Sequence, residues 1–148
     1  MAPKVEDLLV YKKADRAFQA ICALIEASDI RKNFKLRDQL QDAAASVRRN
    51  ISEGGGQQTD RMLIKYLYYS YGSANEVRTE LVEAFEVRYI SQSDLSLHDQ
   101  MYSEIMAMLV GWIRYLRQSD RKDRLIGGRA FGEPLPSSCR FRIKPTAD

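Results

Sequence analysis

Apolar side chains recur at steps of three and four through most of the chain, the spacing of a single helix face. From about Asp7 to Ile25 the seam is Leu8, Tyr11, Ala14, Phe18, Ile21, Cys22 and Ile25, with Lys12, Lys13, Asp15, Arg16 and Gln19 opposite. Ser28-Asp29 breaks the pattern within the polar stretch Ala27–Lys35, which predicts a turn. A second helix is expected from about Leu36 to Ser52 on Leu40, Ala44, Val47 and Ile51, and the small Ala43-Ala44-Ala45 step lets a neighbouring helix come close. Gly54-Gly55-Gly56 reads as its stop, because glycine readily takes the left-handed geometry of a helix terminus.

A third helix can open at Thr59 as N-cap, with Asp60 against the positive end of the helix dipole. It continues to about Arg88 on Leu63, Tyr66, Leu67, Ser70, Ala74, Val77, Leu81 and Phe85. The polar segment Ser91–Ser96 forms the next connection. A fourth helix follows from about Leu97 to Gln118, turning Met101, Ile105, Met108, Leu109, Trp112 and Leu116 inward. Four such helices joined by short loops predict an all-α, up-and-down antiparallel four-helix bundle over residues 1–118. From about residue 119 the period is lost, and Gly127-Gly128, Gly132, Pro134, Pro136 and Pro145 forbid a continuous helix. Residues 119–148 therefore read as a basic tail, flexible or ordered on a partner.

A chain of 148 residues is one domain's worth and long enough to bury a core. Its net charge of +3 is unevenly placed: residues 1–119 balance 16 basic against 16 acidic side chains, and the 7 basic and 4 acidic groups of the tail supply the whole excess. That leaves phosphate binding open without demanding it. Cys22 and Cys139 form neither a disulfide framework nor a metal-ligand spacing. The opening Met1-Ala2-Pro3-Lys4 does not read as a signal peptide, so none is expected, and no apolar run approaches the ~20 residues of a membrane span. The expectation is a cytoplasmic protein with no membrane, cofactor, metal or small-molecule partner.

The third helix carries Tyr66, Tyr68, Tyr69 and Tyr71 within six positions. At 100° per residue, Tyr66 and Tyr69 share one face and Tyr68 and Tyr71 point to the other side. A bundle core can take only one of these faces, so the excess of aromatics marks all four as an oligomer interface. Asn50, Glu53, Ser73 and Glu76 lie at or beside the edges of the seams. Without a nucleophile, a second histidine or further ligands they make no catalytic set, and they read as a structural polar network between helices. Gly54-Gly55-Gly56-Gln57-Gln58-Thr59 lacks the Gly-Lys-Ser/Thr ending of a phosphate loop. The lone His98 reads as a surface residue. Lys12, Lys13, Arg16, Arg48, Arg49, Arg114, Arg117 and Arg121 are the candidate phosphate contacts, the last three recurring as a stripe if the fourth helix persists.

The run Asn50-Ile51-Ser52-Glu53-Gly54 with the later Gly72-Ser73-Ala74-Asn75-Glu76 resembles the signature of the four-helix proteins encoded in 23S rRNA intervening sequences. That family also includes the accessory variability determinants of diversity-generating retroelements. Asp7-Leu8-Leu9-Val10-Tyr11-Lys12-Lys13-Ala14 is similar to its opening; Leu36, Gln39, Ala43, Ala44 and Ser46 fit its second helix, and Tyr66-Leu67 and Tyr89-Ile90-Ser91 its third. Gly55-Gly56-Gln57-Gln58 departs from the usual basic turn, and Met62 from a common capping glutamate. Gly111-Trp112-Ile113-Arg114 resembles the retroelement branch more than the ribosomal one. The resemblance implies a non-enzymatic homopentameric barrel that binds RNA or DNA, as the accessory subunit of a reverse transcriptase. The alternative is a protein-interaction scaffold whose nucleic-acid affinity is incidental.

Overall fold

The computed structural model describes the backbone of residues 8–125 and the side chains of residues 8–119. Among them are four α-helices and no strand: α1 (Leu9–Ala27), α2 (Phe34–Gly55), α3 (Asp60–Glu86) and α4 (Gln92–Leu125), with a 3-10 turn at Asp29–Lys32. Partners across α2 and α3 run in opposite chain order: Ser46 meets Ser73, Val47 meets Ser70, and Gly54 meets Leu63. The two helices are therefore antiparallel. Each helix packs on the next, and α4 closes back onto α1.

The connections show why the helices begin and end where they do. The polar stretch after α1 holds one apolar anchor, Ile30, which is fully buried. Asn33 then caps α2, its side-chain oxygen accepting the Leu36 N–H at 3.2 Å. Thr59 caps α3 in the same way, accepting from Met62 at 3.3 Å. At the other end of α3 the Tyr89 N–H reaches the Ala84 carbonyl and the Arg88 N–H the Phe85 carbonyl, both at 2.9 Å. This is a Schellman closure, with Arg88 at φ 67° where glycine is usual.

Helices α4 and α2 have bounds that differ from the sequence expectation. Ser91 and Asp94 form a reciprocal capping box, each side chain accepting the other's backbone N–H (3.0 and 3.3 Å). Helix α4 thus starts at Gln92, not Leu97, and it runs past Gln118 to Leu125. The rest of the expected tail, with Cys139, lies outside the described residues. Helix α2 likewise runs through Gly54 and Gly55, and its C-cap, Gly56, has an ordinary right-handed φ of −85°. The left-handed stop is absent. What Gly54 supplies is room: a Cβ there would sit 3.0 Å from Leu63 Cδ1 and 3.1 Å from Tyr66 Cβ.

The core is a single cluster fed by all four helices, with Trp112, Tyr102, Ile21, Leu40, Ile51, Leu63, Leu67, Leu81, Ile105, Leu109 and Leu116 among its largest buried side chains. Ser70 sits inside it by donating its hydroxyl to the Val47 carbonyl at 2.7 Å, which satisfies a polar group at the tight α2–α3 crossing. His98 is not at the surface but 5% exposed. It falls in step with Tyr102, Ile105, Leu109 and Trp112 on the inner face of α4, and periodicity outweighs its polarity. Burial lowers its pKa below the ordinary 6.5, and Asp94 opposes that shift.

Candidate nucleic-acid interface

The core face of α3 is Leu63, Leu67, Ser70, Ala74 and Val77. Neither tyrosine pair occupies it: the seam passes between them, and Tyr66, expected within the seam, lies half-buried at its edge. Tyr66 lies beside α2, next to Gly54, and stacks edge-on against Tyr69 with centroids 5.8 Å apart and planes at 87°. Tyr68 and Tyr71 lie on the α4 side, where they line a groove with Val110, Ile113, Arg114 and Arg117. Tyr68 is 45% exposed and Tyr69 49%. Helix α3 therefore has two aromatic edges, and the exposed Tyr68 and Tyr69 also line a shallow cavity together with Arg61, Met62, Ile64 and Lys65.

The α2/α3 groove is polar and nearly neutral in its bonding. Asn50 donates its amide to both the carbonyl and the hydroxyl of Ser46 at 2.9 Å, and the Ser46 hydroxyl lies 2.8 Å from that of Ser73. Asn50 and Ser73 are brought together through Ser46, one turn before Asn50, which the sequence reading placed in the helix but not in the network. Glu53 and Glu76 are exposed and stand apart from this chain of bonds.

The eight candidate cations fall into two groups. On α1 and α2, acids are interleaved with bases. Lys13 bonds Glu104 at 2.7 Å and shares a cleft with Arg16 and Met101. Arg48 bonds Asp15 at 2.6 Å while its guanidinium covers the Phe18 ring at 4.1 Å. Lys12 and Arg49 are exposed. These pairs cancel one another's charge and weaken any pull on a polyanion.

Helix α4 differs. The groove that holds Arg114 and Arg117, about 370 Å³ in volume, has no acidic residue in its lining. The Arg117 guanidinium stands 5.3 Å over the Tyr68 ring, within cation–π range. An adjoining stretch of about 410 Å³ shares Tyr71, Val110 and Arg114 and continues past Ser103, Met106, Ala107 and Gly111 to Arg78. Arg78 closes the far end with a two-pronged bond to Asp99, 2.6 Å at Nε and 3.3 Å at Nη2. That bond raises its pKa further. Arg78 was not among the sequence candidates; its signal was its position one turn beyond Ala74, on the α4 side. Arg121 is on α4, but its side chain lies outside the described residues.

Among the described residues no cluster of histidine, cysteine or acids could hold a metal ion, and no helix is long and apolar enough to cross a membrane. Cys22 is a free thiol whose pKa burial raises, against the opposing pull of Arg48, so it is a poor nucleophile.

Residues 6–111 match the family model described as 23S rRNA-intervening sequence protein. Among solved structures, the chain is similar to a protein of unknown function from the S23 ribosomal protein family of Bacteroides thetaiotaomicron VPI-5482. The TM-score is 0.67 and the identity 23%, over 70% of this chain and 97% of that one. At that identity the likeness speaks for the fold. No curated protein matches the chain.

Proposed function

The chain belongs to the 23S rRNA-intervening sequence protein family, and from that premise we propose that it is a non-catalytic, self-assembling protein that binds nucleic acid along its α3/α4 groove. The observation that carries this reading is the unbalanced charge of that groove: Arg114 and Arg117 line it together with Tyr68, Tyr71, Val110 and Ile113, with no acid in the lining. Phosphates supply the missing negative charge. Of the other candidate cations, Lys13 is answered by Glu104 and Arg48 by Asp15. The α2/α3 edge, with exposed Tyr69 against Tyr66, is the surface offered to sister copies.

The likeness of Gly111-Trp112-Ile113-Arg114 to the retroelement branch extends the proposal to a homopentameric barrel that assists a reverse transcriptase. In this chain that segment spans core and groove: Trp112 and Ile113 are buried, while Gly111 and Arg114 border the groove. Five copies would repeat each groove around one particle, so modest patches would add in avidity.

The test is a filter-binding salt titration on the full chain, paired with a native mass measurement. Affinity should fall steeply with salt, and Arg114→Glu/Arg117→Glu should cost about hundredfold at low salt, since two attractions become repulsions. Arg49→Glu should cost much less. Salt-insensitive binding, or none at low salt, would sink the nucleic-acid reading and favour the protein-interaction scaffold. A stable single subunit at micromolar concentration would remove the assembly.

A further inference from the structure

Resting on the nucleic-acid reading of the α3/α4 groove, we infer that its ligand is single-stranded, held by an unpaired base stacked on Tyr68 while Arg114 and Arg117 take the flanking phosphates. The groove combines two chemistries that a duplex cannot answer together. A duplex offers phosphates, but its base faces are covered by their stacked neighbours. It would use the arginines and leave the aromatic floor wet. An unpaired nucleotide offers a flat π-face and a negative charge within one unit, which matches an exposed tyrosine ring beside guanidinium groups.

The geometry is specific on three points. Tyr68 remains 45% exposed although it borders Ile113 and Arg117, so part of its ring is open to a ligand. Arg117 already stands over that ring at 5.3 Å, and a guanidinium is itself a flat stacking partner. The floor between the cations is apolar, made by Tyr71, Val110 and Ile113, where phosphate-only recognition needs polar donors. The groove also continues to Arg78, about 15 Å along α3 at 1.5 Å per residue, which gives a strand a path rather than a point.

Fluorescence anisotropy on the full chain separates the possibilities, using one labelled strand without self-complementarity, alone and annealed to its complement. The strand alone should bind about tenfold or more tightly than the duplex, the scale of one base–aromatic stack. Tyr68→Ala should bring the ratio towards one, and Tyr68→Phe, which keeps the ring, should restore the preference. Circular dichroism checks that the exposed substitution leaves the helices formed. Equal or tighter duplex binding, or a preference unmoved by Tyr68→Ala, overturns the single-strand assignment while the phosphate-binding reading stands. If neither probe binds at low salt, both fail together.

Discussion

The two grooves that flank α3 are built from the same helix and differ in almost every physical respect. On the α2 side the helices approach closely: a Cβ at Gly54 would press on Leu63 and Tyr66, Ser70 bonds a carbonyl of the neighbouring backbone, and Ser46, Ser73 and Asn50 satisfy one another. On the α4 side the helices leave a trough. At Gly111, which borders it, an added Cβ would meet nothing within 4 Å. One groove spends its polar groups on the fold. The other keeps its cations turned outward, and that difference separates a structural seam from a binding surface.

The largest effect on stability should come from filling the closed side. Gly54→Val adds a Cβ 3.0 Å from Leu63 Cδ1 and 3.1 Å from Tyr66 Cβ, and branches it. Overpacking of this kind costs about 2–3 kcal/mol, more than the few tenths gained from the better helix propensity of valine. Chemical denaturation measures it; an unchanged midpoint would mean that α2 and α3 can part freely and that the contrast between the grooves is illusory. Gly111→Ala provides the opposite sign. It removes glycine's helix penalty on an exposed face with nothing to strike, so stability should rise by about 0.5–1 kcal/mol. A loss at Gly111 would show that the α4 side is closed as well.

The four helices were legible because core packing imposes the 3.6-residue period directly on residue type. What was not legible depended on partners outside the local window. Gly54 looks the same in sequence whether it ends a helix or admits a neighbour, and only the position of Leu63 and Tyr66 decides. The Ser91 and Asp94 box is made of polar residues that suit a loop as well as a helix start, and only their reciprocal bonds to each other's backbone N–H distinguish the two. The tyrosines were recognised as two pairs, yet their destinations depended on which rows Leu63, Leu67 and Ser70 took. The basic stripe on α4 was visible too. That Lys13 and Arg48 are neutralised by Glu104 and Asp15, whereas no acid lines the groove at Arg114 and Arg117, follows only from how the helices are arranged.

The smallest effect probes the far end of the open groove, where Arg78 holds Asp99 on the outer face of α4 and the neighbouring His98 is buried on the inner one. His98 has its pKa lowered from 6.5 by burial, with Asp94 pulling the other way. Above pH 6.5 the imidazole is neutral whether folded or unfolded, and it contributes no pH dependence. Below it the unfolded chain takes up the proton first, so stability present at neutral pH is lost as pH falls through the unfolded value. Urea midpoints should therefore drop between pH 7.5 and 5.5, and His98→Gln should flatten that drop. The binding groove is lined by Tyr68, Tyr71, Val110, Ile113, Arg114 and Arg117, with no imidazole and no carboxylate among them. Nucleic-acid affinity measured on the folded protein should thus stay level over the same interval. If affinity and stability fall together and His98→Gln corrects both, the inner and outer faces of α4 are coupled, and the groove is less independent of the core than its geometry implies.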